Sequence, residues 1–386
     1  MSFKTSSLAS LSSLITKGTT PTTLGYAHSD SGIPFLRVQN IFSGQVNFKE
    51  DTLFIDSNTH TALKRSQIQG GDVLVTIAGT IGRTGVVPHD APEMNCNQAV
   101  AIVRPTPEIE RSYLRHWLES QDARSQMLGS TVTGTISNLS LSQLGELRVP
   151  LPSLEEQRRI AAILDQAETL RTQRRTALAL LDSLTQSLFL DMFGDPATNS
   201  RKWPVKRLKD LGQVITGGTP PSSKEGMFDG PIPFITPGDL ESEEPVRRSV
   251  TEAGAKEVNV VRAGATLVCC IGATIGKVGI AQKDSAFNQQ LNAVVWGNHI
   301  SDNYGYEVMR FFKPTIISWG ASTTLPILKK SSFEQIEIPV PPVPLQELFT
   351  DRLKHISNLK GLHKSALLGF DNLFNALQSR AFAGEP

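Results

Sequence analysis

The chain contains little cysteine. Its 386 residues include only Cys96, Cys269 and Cys270, and the last two are neighbours in an apolar segment. Three cysteines cannot form a paired disulfide framework, and no Cys-x-x-Cys or His-x-x-x-His spacing accompanies them. We therefore expect buried thiols in a reducing cytoplasm, and no metal site.

Long apolar segments are missing as well. No apolar run reaches the roughly 18 residues from which a membrane-spanning helix is inferred. Serines interrupt residues 1–18 too often for a secretory signal, so we interpret this segment as the start of the first domain. These absences predict a cytoplasmic protein.

A basic excess is also absent. The chain has 38 lysines and arginines against 37 acidic residues, which gives a formal net charge of +1. A free-standing DNA-binding protein usually carries a clear positive excess that neutralises phosphates. Either the chain does not bind nucleic acid, or partner subunits supply the phosphate contacts while this chain reads the bases.

Motifs for catalysis are not found. The segment from Gly272 to Lys277 resembles a phosphate-binding loop, but it has three residues between its glycines where the fingerprint needs four, and Val278 follows the lysine. The Pro-Pro pairs at 220–221 and 341–342 lack the flanking residues of an adenine methyltransferase loop. No Gly-x-Ser-x-Gly elbow and no convincing nuclease set occur. We predict that the chain is not an enzyme.

What the chain does have is an internal duplication. Four blocks recur in the same order, roughly 190 to 200 residues apart. They are IPFLRVQNI (33–41) and IPFITPGDL (232–240), GGDVLVTIAGTIGRTGVV (70–87) and AGATLVCCIGATIGKVGI (263–280), NQAVAIV (97–103) and NQQLNAVV (288–295), and ELRVPLPSLEEQ (146–157) and QIEIPVPPVPLQ (335–346). Solenoid units repeat every 20 to 50 residues or so, so this is a whole domain present twice. Two diverged copies suggest a two-part target.

Each copy has a β-rich front. The runs VLVTIAG and AVAIV in the first copy, and TLVCCIGA and LNAVVW in the second, are short, β-branched and bounded by turn residues, which predicts strands. The segments 113–120 and 306–313 predict short helices whose aromatic residues pack in the core. The glycine segments predict tight turns between two strands.

Each copy also has a helical tail. The first begins at Ser153, a good helix cap followed by Glu155 and Glu156, and ends near Met192 at an FGDP segment. A heptad pattern predicts a seam of Ile160, Ile163, Ala167, Leu170, Arg174, Ala177, Leu181, Leu184 and Leu188. After Pro344 the second tail predicts a seam of Phe349, Ile356, Leu359, His363, Ala366, Phe370, Leu373 and Leu377.

These tails predict how the two copies are joined. Each helix would be roughly 55 Å long, and its apolar stripe has to be buried. Equivalent helices in two repeats bury their stripes most simply against each other, with Arg174 and His363 as polar positions that set the register. We predict an α+β fold with two pseudo-symmetric β-rich domains separated by two long helices in an antiparallel coiled coil. The β-rich domains would then lie at opposite ends, tens of ångströms apart.

Polar and basic side chains at or beside the predicted turns are candidates for contacting DNA, because such groups can contact base edges and phosphates. The candidates in the first copy are Arg37, Gln39, Asn40, Lys64, Arg65, Thr80, Arg83, Thr133 and Asn138. Those in the second are Ser222, Ser223, Lys224, Thr236, Asp239, Thr274, Lys277, Lys329 and Lys330. The alternative is that these residues hydrogen-bond their own turns.

The two copies share an Asn-Gln pair, at 97–98 and 288–289. Asn and Gln can each contact adenine with two hydrogen bonds. Contacts that read sequence should nevertheless differ between copies that read different sequences. We therefore interpret the shared pair as scaffold, and expect specificity in the loops around 37–65 and 222–248. The first copy also has a polar stretch of Thr131, Thr133, Thr135 and Asn138, which is matched in the second copy by Ser322, Thr323, Thr324, Lys329 and Lys330.

The chain resembles the specificity subunits of type I restriction–modification systems. The resemblance is carried by LEEQRRIAAILDQAE (154–168), by LDMFGDPATNSRKWPVKRLKDL (190–211), and by ITGGTPPSS (215–223) followed by IPFITPGDL (232–240). It covers essentially the whole chain in both copies. The first copy departs from the pattern with KGTTP (17–21) where the second has GGTP (217–220).

The resemblance implies a domain organisation. Target recognition domains would occupy residues 1–152 and 195–343. Conserved helices at 153–194 and 344–386 would set the gap between half-sites and dock partners.

It also implies a function. Each recognition domain reads one half of a bipartite, gapped double-stranded DNA site. Two methyltransferase subunits and motor–nuclease subunits act there, and S-adenosylmethionine, ATP and Mg²⁺ belong to those partners, with no cofactor in this chain. The competing hypothesis is an adaptor that binds proteins through two domains on a coiled coil, which the near-neutral charge favours.

Overall fold

A computed structural model describes residues 3–42, 44–128, 138–242, 244–321 and 325–384. The chain divides into two compact units, Met1–Thr176 with Lys364–Pro386, and Ala177–His363. No helix within these described ranges is long and apolar enough to cross a membrane. The predicted contact residue Thr133 lies outside the described residues, as do Thr131, Thr135, Ser322, Thr323 and Thr324.

The first unit contains the following elements. Its strands are β1 (Thr5–Ser7), β2 (Ser12–Lys17), β3 (Ile33–Leu36), β4 (Ile41–Phe42), β5 (Gln45–Val46), β6 (Leu53–Ile55), β7 (Gln67–Ile68), β8 (Val73–Thr76), β9 (Thr84–Val86), β10 (Met94–Cys96), β11 (Val100–Pro105) and β12 (Arg148–Pro150). Its helices are α1 (Ser57–Ala62), α2 (Arg111–Leu118), α3 (Gln121–Leu128), α4 (Leu141–Glu146) and the first part of α5 (Leu154–Phe193).

The second unit repeats this order. Its strands are β13 (Val205–Arg207), β14 (Gly212–Thr216), β15 (Phe228–Ile235), β16 (Ser249–Val250), β17 (Val260–Val261), β18 (Thr266–Cys269), β19 (Val278–Ile280), β20 (Ser285–Phe287), β21 (Leu291–Trp296) and β22 (Glu337–Pro339). Its helices are α6 (Leu208–Leu211), α7 (Glu252–Lys256), α8 (Asp302–Phe311), α9 (Lys313–Gly320), α10 (Lys330–Phe333) and the first part of α11 (Val343–Ala383).

The sheets of the two units have the same topology. Strand orders β6-β3-β10-β7 and β2-β11-β8-β9 in the first unit correspond to β16-β15-β20-β17 and β14-β21-β18-β19 in the second. In each unit one pair is parallel, β3 with β10 and β15 with β20. The first strand pairs with the strand before the long helix, β1 with β12 and β13 with β22. The domain duplication predicted from the sequence is confirmed.

Each unit buries its central sheet against helices. The main cluster of the first unit includes Val73, Val75, Ala101 and Val103 from the sheet, Tyr113 and Trp117 from α2, and Phe374 and Phe382 from α11. That of the second includes Val268 and Val294, Tyr304 and Val308 from α8, and Phe189, Phe193 and Phe349 from the long helices. Because a fully buried side chain of this size contributes about 1.5–3 kcal/mol, the long-helix segments add substantially to the stability of each core.

Residues at the ends of the long helices determine where each helix begins and ends. The Ser153 hydroxyl accepts a hydrogen bond from the Glu156 amide at 3.3 Å, which caps the start of α5. The helix stops after Phe193, where Gly194 adopts a φ of 75° that a side chain disfavours. Helix α11 starts at Val343, one residue earlier than predicted, because proline is tolerated in a first turn.

Within each unit a segment of α5 packs on a segment of α11, and the two helices run antiparallel. In the first unit Arg171 lies 4.4 Å above the Phe374 ring, and Arg174 lies 5.9 Å from the Phe370 ring. In the second unit the rings of Phe189 and Phe349 are 5.6 Å apart. The predicted α+β fold with an antiparallel helix pair is confirmed.

The predicted seam, however, is wrong at four positions. Ile163, Leu184, Leu359 and Leu373 are 38%, 47%, 46% and 50% exposed. The buried stripes are instead Gln157, Ile160, Ala161, Leu164, Ala167, Thr185, Phe189 and Phe193 on α5, and Gln346, Phe349, Ile356, Phe374, Gln378 and Phe382 on α11. These stripes follow the 3.6-residue period of a straight helix and include polar side chains. A heptad pattern, which selects apolar residues every 3.5 positions, does not identify such stripes.

A repeated ion pair joins the helices. In the first unit Arg171 on α5 donates to Asp371 on α11 at 2.6 Å. In the second unit Lys360 on α11 pairs with Asp182 on α5, also at 2.6 Å. Arg171 corresponds to Lys360 in the repeat, and Asp182 corresponds to Asp371. Charged contacts between facing helices favour one alignment over its neighbours, so this repeated pair fixes the register.

A buried glutamine attaches each β-rich front to its long helix. The Gln157 side chain donates to the carbonyls of Glu108 and Pro152, and accepts from the Glu110 amide at 2.8 Å. Gln346 does the same in the second unit, with donations to His299 and Pro341 and acceptance from the Ser301 amide at 2.8 Å. Since both glutamines are fully buried, losing them would leave polar backbone unsatisfied.

The two interhelical ion pairs should differ in their contribution to stability. We expect Asp371→Ala to cost about 1–2 kcal/mol, because this pair is largely buried and charge-assisted. Asp182→Ala should cost about 0–1 kcal/mol, because its carboxylate is 70% exposed and screened by water. Urea midpoints of the two variants measure both. Equal losses would contradict the assignment of the stronger contact to the first unit.

The repeat places a histidine in one unit where the other has a carboxylic acid. His116 on α2 is fully buried, with Nε2 2.8 Å from Asp165 on α5. Its Nδ1 finds no hydrogen-bond partner in the described part of the chain. Burial lowers the pKa of His116 despite the nearby carboxylates. In the second unit Glu307 on α8 is buried beside Arg310, and burial raises its pKa.

The two buried groups should give opposite pH dependence. The unfolded chain protonates His116 more readily than the folded one, so its stabilising contribution is present above about pH 6.5 and is lost as pH falls. The raised pKa of Glu307 means that its contribution is present at low pH and lost as pH rises through that pKa.

Urea midpoints measured between about pH 5 and pH 8 test this expectation. The free energy of unfolding of His116→Gln, relative to that of the unmodified chain, should rise as the solution is acidified. The free energy of unfolding of Glu307→Gln, relative to that of the unmodified chain, should rise as the solution is made basic. Differences that do not vary with pH would refute both assignments.

Candidate nucleic-acid interface

A glycine turn connects β8 to β9 in the first unit. Gly79 and Gly82 have φ values of 74° and 83°, in the left-handed region that glycine tolerates. The Arg83 amide donates to the Thr76 hydroxyl at 2.9 Å, which closes the turn. Thr80 and Arg83 are exposed on it. The predicted tight turn between two strands is confirmed.

The corresponding turn of the second unit connects β18 to β19. Gly272 and Gly276 have φ values of 97° and 87°. The Gly276 amide donates to the Cys269 carbonyl at 2.8 Å. Thr274 is exposed and Lys277 is half-buried. Both units therefore present a hydroxyl and a cation on the same rigid turn.

The segment after β3 in the first unit forms a hydrogen-bonded cluster. Arg37 pairs with Asp51 at 3.3 Å, and the Gln39 amide donates to the same carboxylate at 2.9 Å. Asn40 is buried, and its side-chain oxygen accepts from the Arg37 amide at 2.8 Å. Gln39 is exposed and bonded to the exposed Asp51 carboxylate, whereas Asn40 stabilises its own turn.

The segment after β15 in the second unit is simpler. The Asp239 carboxylate accepts from the Thr236 amide at 2.7 Å and from its hydroxyl at 2.6 Å. These two half-buried side chains therefore satisfy each other. At the positions of Arg37 and Gln39 in the first unit, the second unit has Thr236 and Gly238. Asp239 makes the same turn contact in the second unit that Asn40 makes in the first.

The remaining described candidates lie on exposed backbone. Lys64 and Arg65 are on a single 3₁₀ turn, and Asn138 forms a bridge to Ala78 beside the glycine turn. Ser222, Ser223 and Lys224 are exposed, as are Lys329 and Lys330 at the start of α10. Lys224 pairs with Glu257 at 2.8 Å, and Lys330 pairs with Glu334 at 3.7 Å.

The shared Asn-Gln pairs are turn elements. The Asn97 side chain accepts from the Ala99 amide, and the Asn288 side chain accepts from the Gln290 amide at 2.8 Å. Gln289 accepts from the Thr219 hydroxyl at 2.6 Å, so the pair also holds the GGTP segment. These contacts support the interpretation of the pair as scaffold.

The structure adds a contact that the sequence did not indicate. The Glu241 carboxylate accepts from Lys313 at 2.9 Å, beside the second glycine turn. At the corresponding place the first unit has the β4–β5 hairpin, where Gly44 bridges Gly85. No sequence motif links Glu241 to Lys313, because they are far apart in the chain and meet only through the fold.

The cysteines are buried thiols. Cys96, Cys269 and Cys270 are all buried and unpaired with one another, and burial raises the pKa of Cys270 to about 12. In the described ranges, no group of three or more His, Cys, Asp or Glu side chains is arranged to hold a metal ion.

Substitutions in the two glycine turns should differ in severity. A Cβ at Gly82 would meet nothing within 4 Å, so Gly82→Ala should cost about 1–2 kcal/mol from backbone strain alone. A Cβ at Gly276 would lie 2.8 Å from Ile317, so Gly276→Ala should cost about 2–4 kcal/mol.

Urea unfolding measures these losses. Gly361→Ala is the control, because this residue is helical and open, and alanine should stabilise it by about 0.5–1 kcal/mol. If Gly276→Ala proved as mild as Gly82→Ala, the close packing of Ile317 on the turn would be contradicted.

Comparisons with known proteins agree with this architecture. A family model described as the type I restriction modification DNA specificity domain matches residues 2–179 and 200–368. The chain is 35% identical over 169 residues to the type I restriction enzyme EcoBI specificity subunit of Escherichia coli, which covers 42% of this chain and 35% of that protein. It is 30% identical over 193 residues to the MjaIX specificity subunit of Methanocaldococcus jannaschii, covering 45% and 44%.

A solved structure has the same fold. The type I restriction–modification S subunit from M. genitalium superposes with a TM-score of 0.60 at 16% identity, over 99% of this chain and 96% of that one. The alignments with the two curated relatives span less than half of either protein's length. Since the family model matches both repeats along most of the chain, this protein belongs to the type I restriction–modification DNA specificity family.

Proposed function

We propose that this chain is the DNA sequence-specificity subunit of a type I restriction–modification complex. Each unit reads one half of a bipartite, gapped DNA site and directs adenine methylation and cleavage by partner subunits. The observation that carries the proposal is that two units of identical sheet topology present different side chains on corresponding loops.

The division between scaffold and reading surface supports this function. The glutamine contacts and the Asn-Gln turns recur in both units, and each unit has a glycine turn between the same two strands. The segments after β3 and β15 differ in charge and hydrogen-bonding capacity, with Arg37 and Gln39 in one and Thr236 and Gly238 at the same positions in the other. Reading two different half-sites requires this pattern, since base recognition depends on distinct donors and acceptors.

In this proposal the chain recognises DNA and catalyses no reaction itself. S-adenosylmethionine, ATP and Mg²⁺ bind to partner subunits, and the absence of methyltransferase, nucleotide-binding and nuclease motifs from the sequence supports that assignment. The near-neutral net charge follows as well, because partner subunits that enclose the DNA supply most phosphate contacts. The complex would work in the cytoplasm, where the DNA is.

Two methyltransferase subunits would dock on the outer faces of the long helices. The leucines wrongly predicted to be buried lie there, and each unit exposes several large apolar side chains. They are Ile163, Leu368 and Leu373 in the first unit, and Leu180, Leu184, Leu348, Leu359 and Leu362 in the second. Exposed apolar stripes of this kind mark protein interaction sites. Motor–nuclease subunits would join the complex through the methyltransferases.

The proposal predicts a salt-dependent, bipartite DNA interaction. The chain assembled with methyltransferase subunits should bind a gapped duplex. The logarithm of its binding constant should fall linearly with the logarithm of the salt concentration, with a slope of about −0.9 for each neutralised phosphate. The chain alone should bind weakly. Equilibrium binding at several salt concentrations measures this, and an adaptor that binds only proteins would show no such dependence.

Domain exchange tests which unit reads which half. Replacing residues 195–343 with the corresponding segment of another family member should change one half of the adenine-methylated motif in host DNA. Replacing residues 1–152 should change the other half. Methylation-sensitive sequencing reads both outcomes, and a motif unaffected by either exchange would refute the proposed function.

A further inference from the structure

A large cavity opens beside the helix pair of the first unit. Its volume is about 1130 Å³, and every described residue of its lining belongs to that unit. Helices α3, α5 and α11 and strand β12 supply its polar lining, which includes Arg124, Arg148, Arg171, Arg175, Asn375 and Ser379. We call it the Arg148 cavity. Pockets for small ligands measure about 300–1,000 Å³, so this one has room for a peptide segment.

The second unit fills the corresponding space with aromatic rings. Phe382 and Phe193 occupy the same place in the two units, since each packs edge-on against the tyrosine of the adjoining helix. Four residues earlier on the long helices, the first unit has Gln378 and the second has Phe189. The Phe189 ring stacks on that of Phe311, with 4.8 Å between the ring centres. The cavity therefore belongs to one unit and is not a general property of the fold.

A smaller cavity, of about 350 Å³, lies beside Phe311 in the second unit. The charged residues of its lining pair with one another. Glu241 pairs with Lys313 and Glu307 pairs with Arg310, in both cases at 2.9 Å. This cavity offers a partner no cation whose charge is not already matched by a neighbouring acid.

The Arg148 cavity has cations of the opposite kind. Arg124 and Arg148 are exposed, and neither guanidinium has an ion-pair partner among the described residues. Ser7 lies opposite Arg148 in the β1–β12 pair and carries no charge. In the second unit the matching strand position is Glu337, which lies opposite Arg207 and pairs with it at 3.6 Å. The first unit thus keeps two arginines ready for an external anion.

The acidic residues of the lining select the kind of anion. Glu168 pairs with Arg171 at 3.0 Å, and Glu119 and Asp122 accept hydrogen bonds from neighbouring hydroxyl and amide groups. A run of phosphates would have to approach these three acids, which is unfavourable because like charges repel. Separate carboxylates can bind the arginine forks through two parallel hydrogen bonds each. The lining therefore fits an acidic protein segment better than a nucleic acid.

The cavity continues into an exposed apolar face of α11. Leu368, Asn375 and Phe382 are spaced seven residues apart, so they lie on one side of the helix. Leu368 is 63% exposed and belongs to the surface on which we place a methyltransferase subunit. A subunit that covers Leu368 reaches the cavity along the same helix face.

We propose that the Arg148 cavity receives an acidic segment of one methyltransferase subunit, with carboxylates on Arg124 and Arg148. The second unit fills this space with its own rings, so the two methyltransferase subunits are held unequally, and the one on the first unit is held more tightly. This inference rests on the proposed function and deepens it.

Stepwise assembly with methyltransferase subunits tests the inference. Titration of the full chain, followed by native mass spectrometry, gives one dissociation constant for each of the two subunits. In the unmodified chain these constants should differ by about 10-fold or more, because buried charge pairs contribute strongly to affinity. Arg148→Glu should weaken the tighter step by a similar factor and leave the weaker step unchanged.

Two further variants separate the cavity from general charge effects. Gln378→Phe gives the first unit the ring that fills the second, and it should weaken the tighter step without any change in charge. Lys206→Glu reverses an exposed charge on β13, outside the cavity, and should leave both constants unchanged. Urea midpoints show whether each variant is folded.

Photo-crosslinking identifies the occupant. A photo-crosslinking amino acid in place of Ser379, which is exposed in the lining, should attach to an acidic segment of a methyltransferase subunit in the complex with DNA. Attachment to DNA would overturn the inference.

The titration can also overturn it. Equal constants in the unmodified chain would do so, as would a tighter step that both Arg148→Glu and Gln378→Phe leave unchanged. Either result leaves the proposed function standing. A failure of the proposed function looks different, because the unmodified chain would then bind no methyltransferase subunit.

Discussion

The burial of one long helix against the other is the constraint on which the structure depends. Helices α5 and α11 are 40 and 41 residues long, and each is buried in one segment within the first unit and in another within the second. A helix of this length with one apolar face has no stable existence in water until that face is covered. Each unit completes its core with segments of both helices, through Phe374 and Phe382 in one and Phe189 and Phe349 in the other. The helix pair therefore contributes directly to the stability of both β-rich fronts.

This constraint separates what must stay fixed from what can vary. The buried glutamines attach each front to a helix through backbone atoms, so the attachment tolerates changes in neighbouring side chains. The paired sheets then hold the turns and loops in place, and those loops add buried side chains such as Ile41 and Leu240 to the cores. Arg37 and Gln39 in one unit, and Thr236 and Gly238 in the other, occupy corresponding places with different chemistry. A repeated scaffold thus supports two surfaces of different specificity.

Much of the fold could be predicted from the sequence, because its signals are local. The repeats, the helix start at Ser153, the stop at the FGDP segment and the glycine turns each depend on residues close together in the chain. The exact stripe of the helices could not be predicted, because Gln157 and Thr185 are buried while Leu184 is exposed. Which helix positions are buried depends on the hydrogen-bonding groups that the backbone of the β-rich fronts places against the helices. The Glu241–Lys313 pair escaped prediction for the same reason, since only tertiary contacts bring its two residues together.

The repeated ion pair has a consequence for symmetry. Each long helix carries a cation, Arg171 or Lys360, and an acid further along it, Asp182 or Asp371. Each helix thus holds both halves of the same interaction, with the cation of one facing the acid of the other. Such an arrangement is self-complementary in the way that a two-fold homodimer interface is. A chain of half this length with one such helix would therefore carry both the cation and the acid of this ion pair.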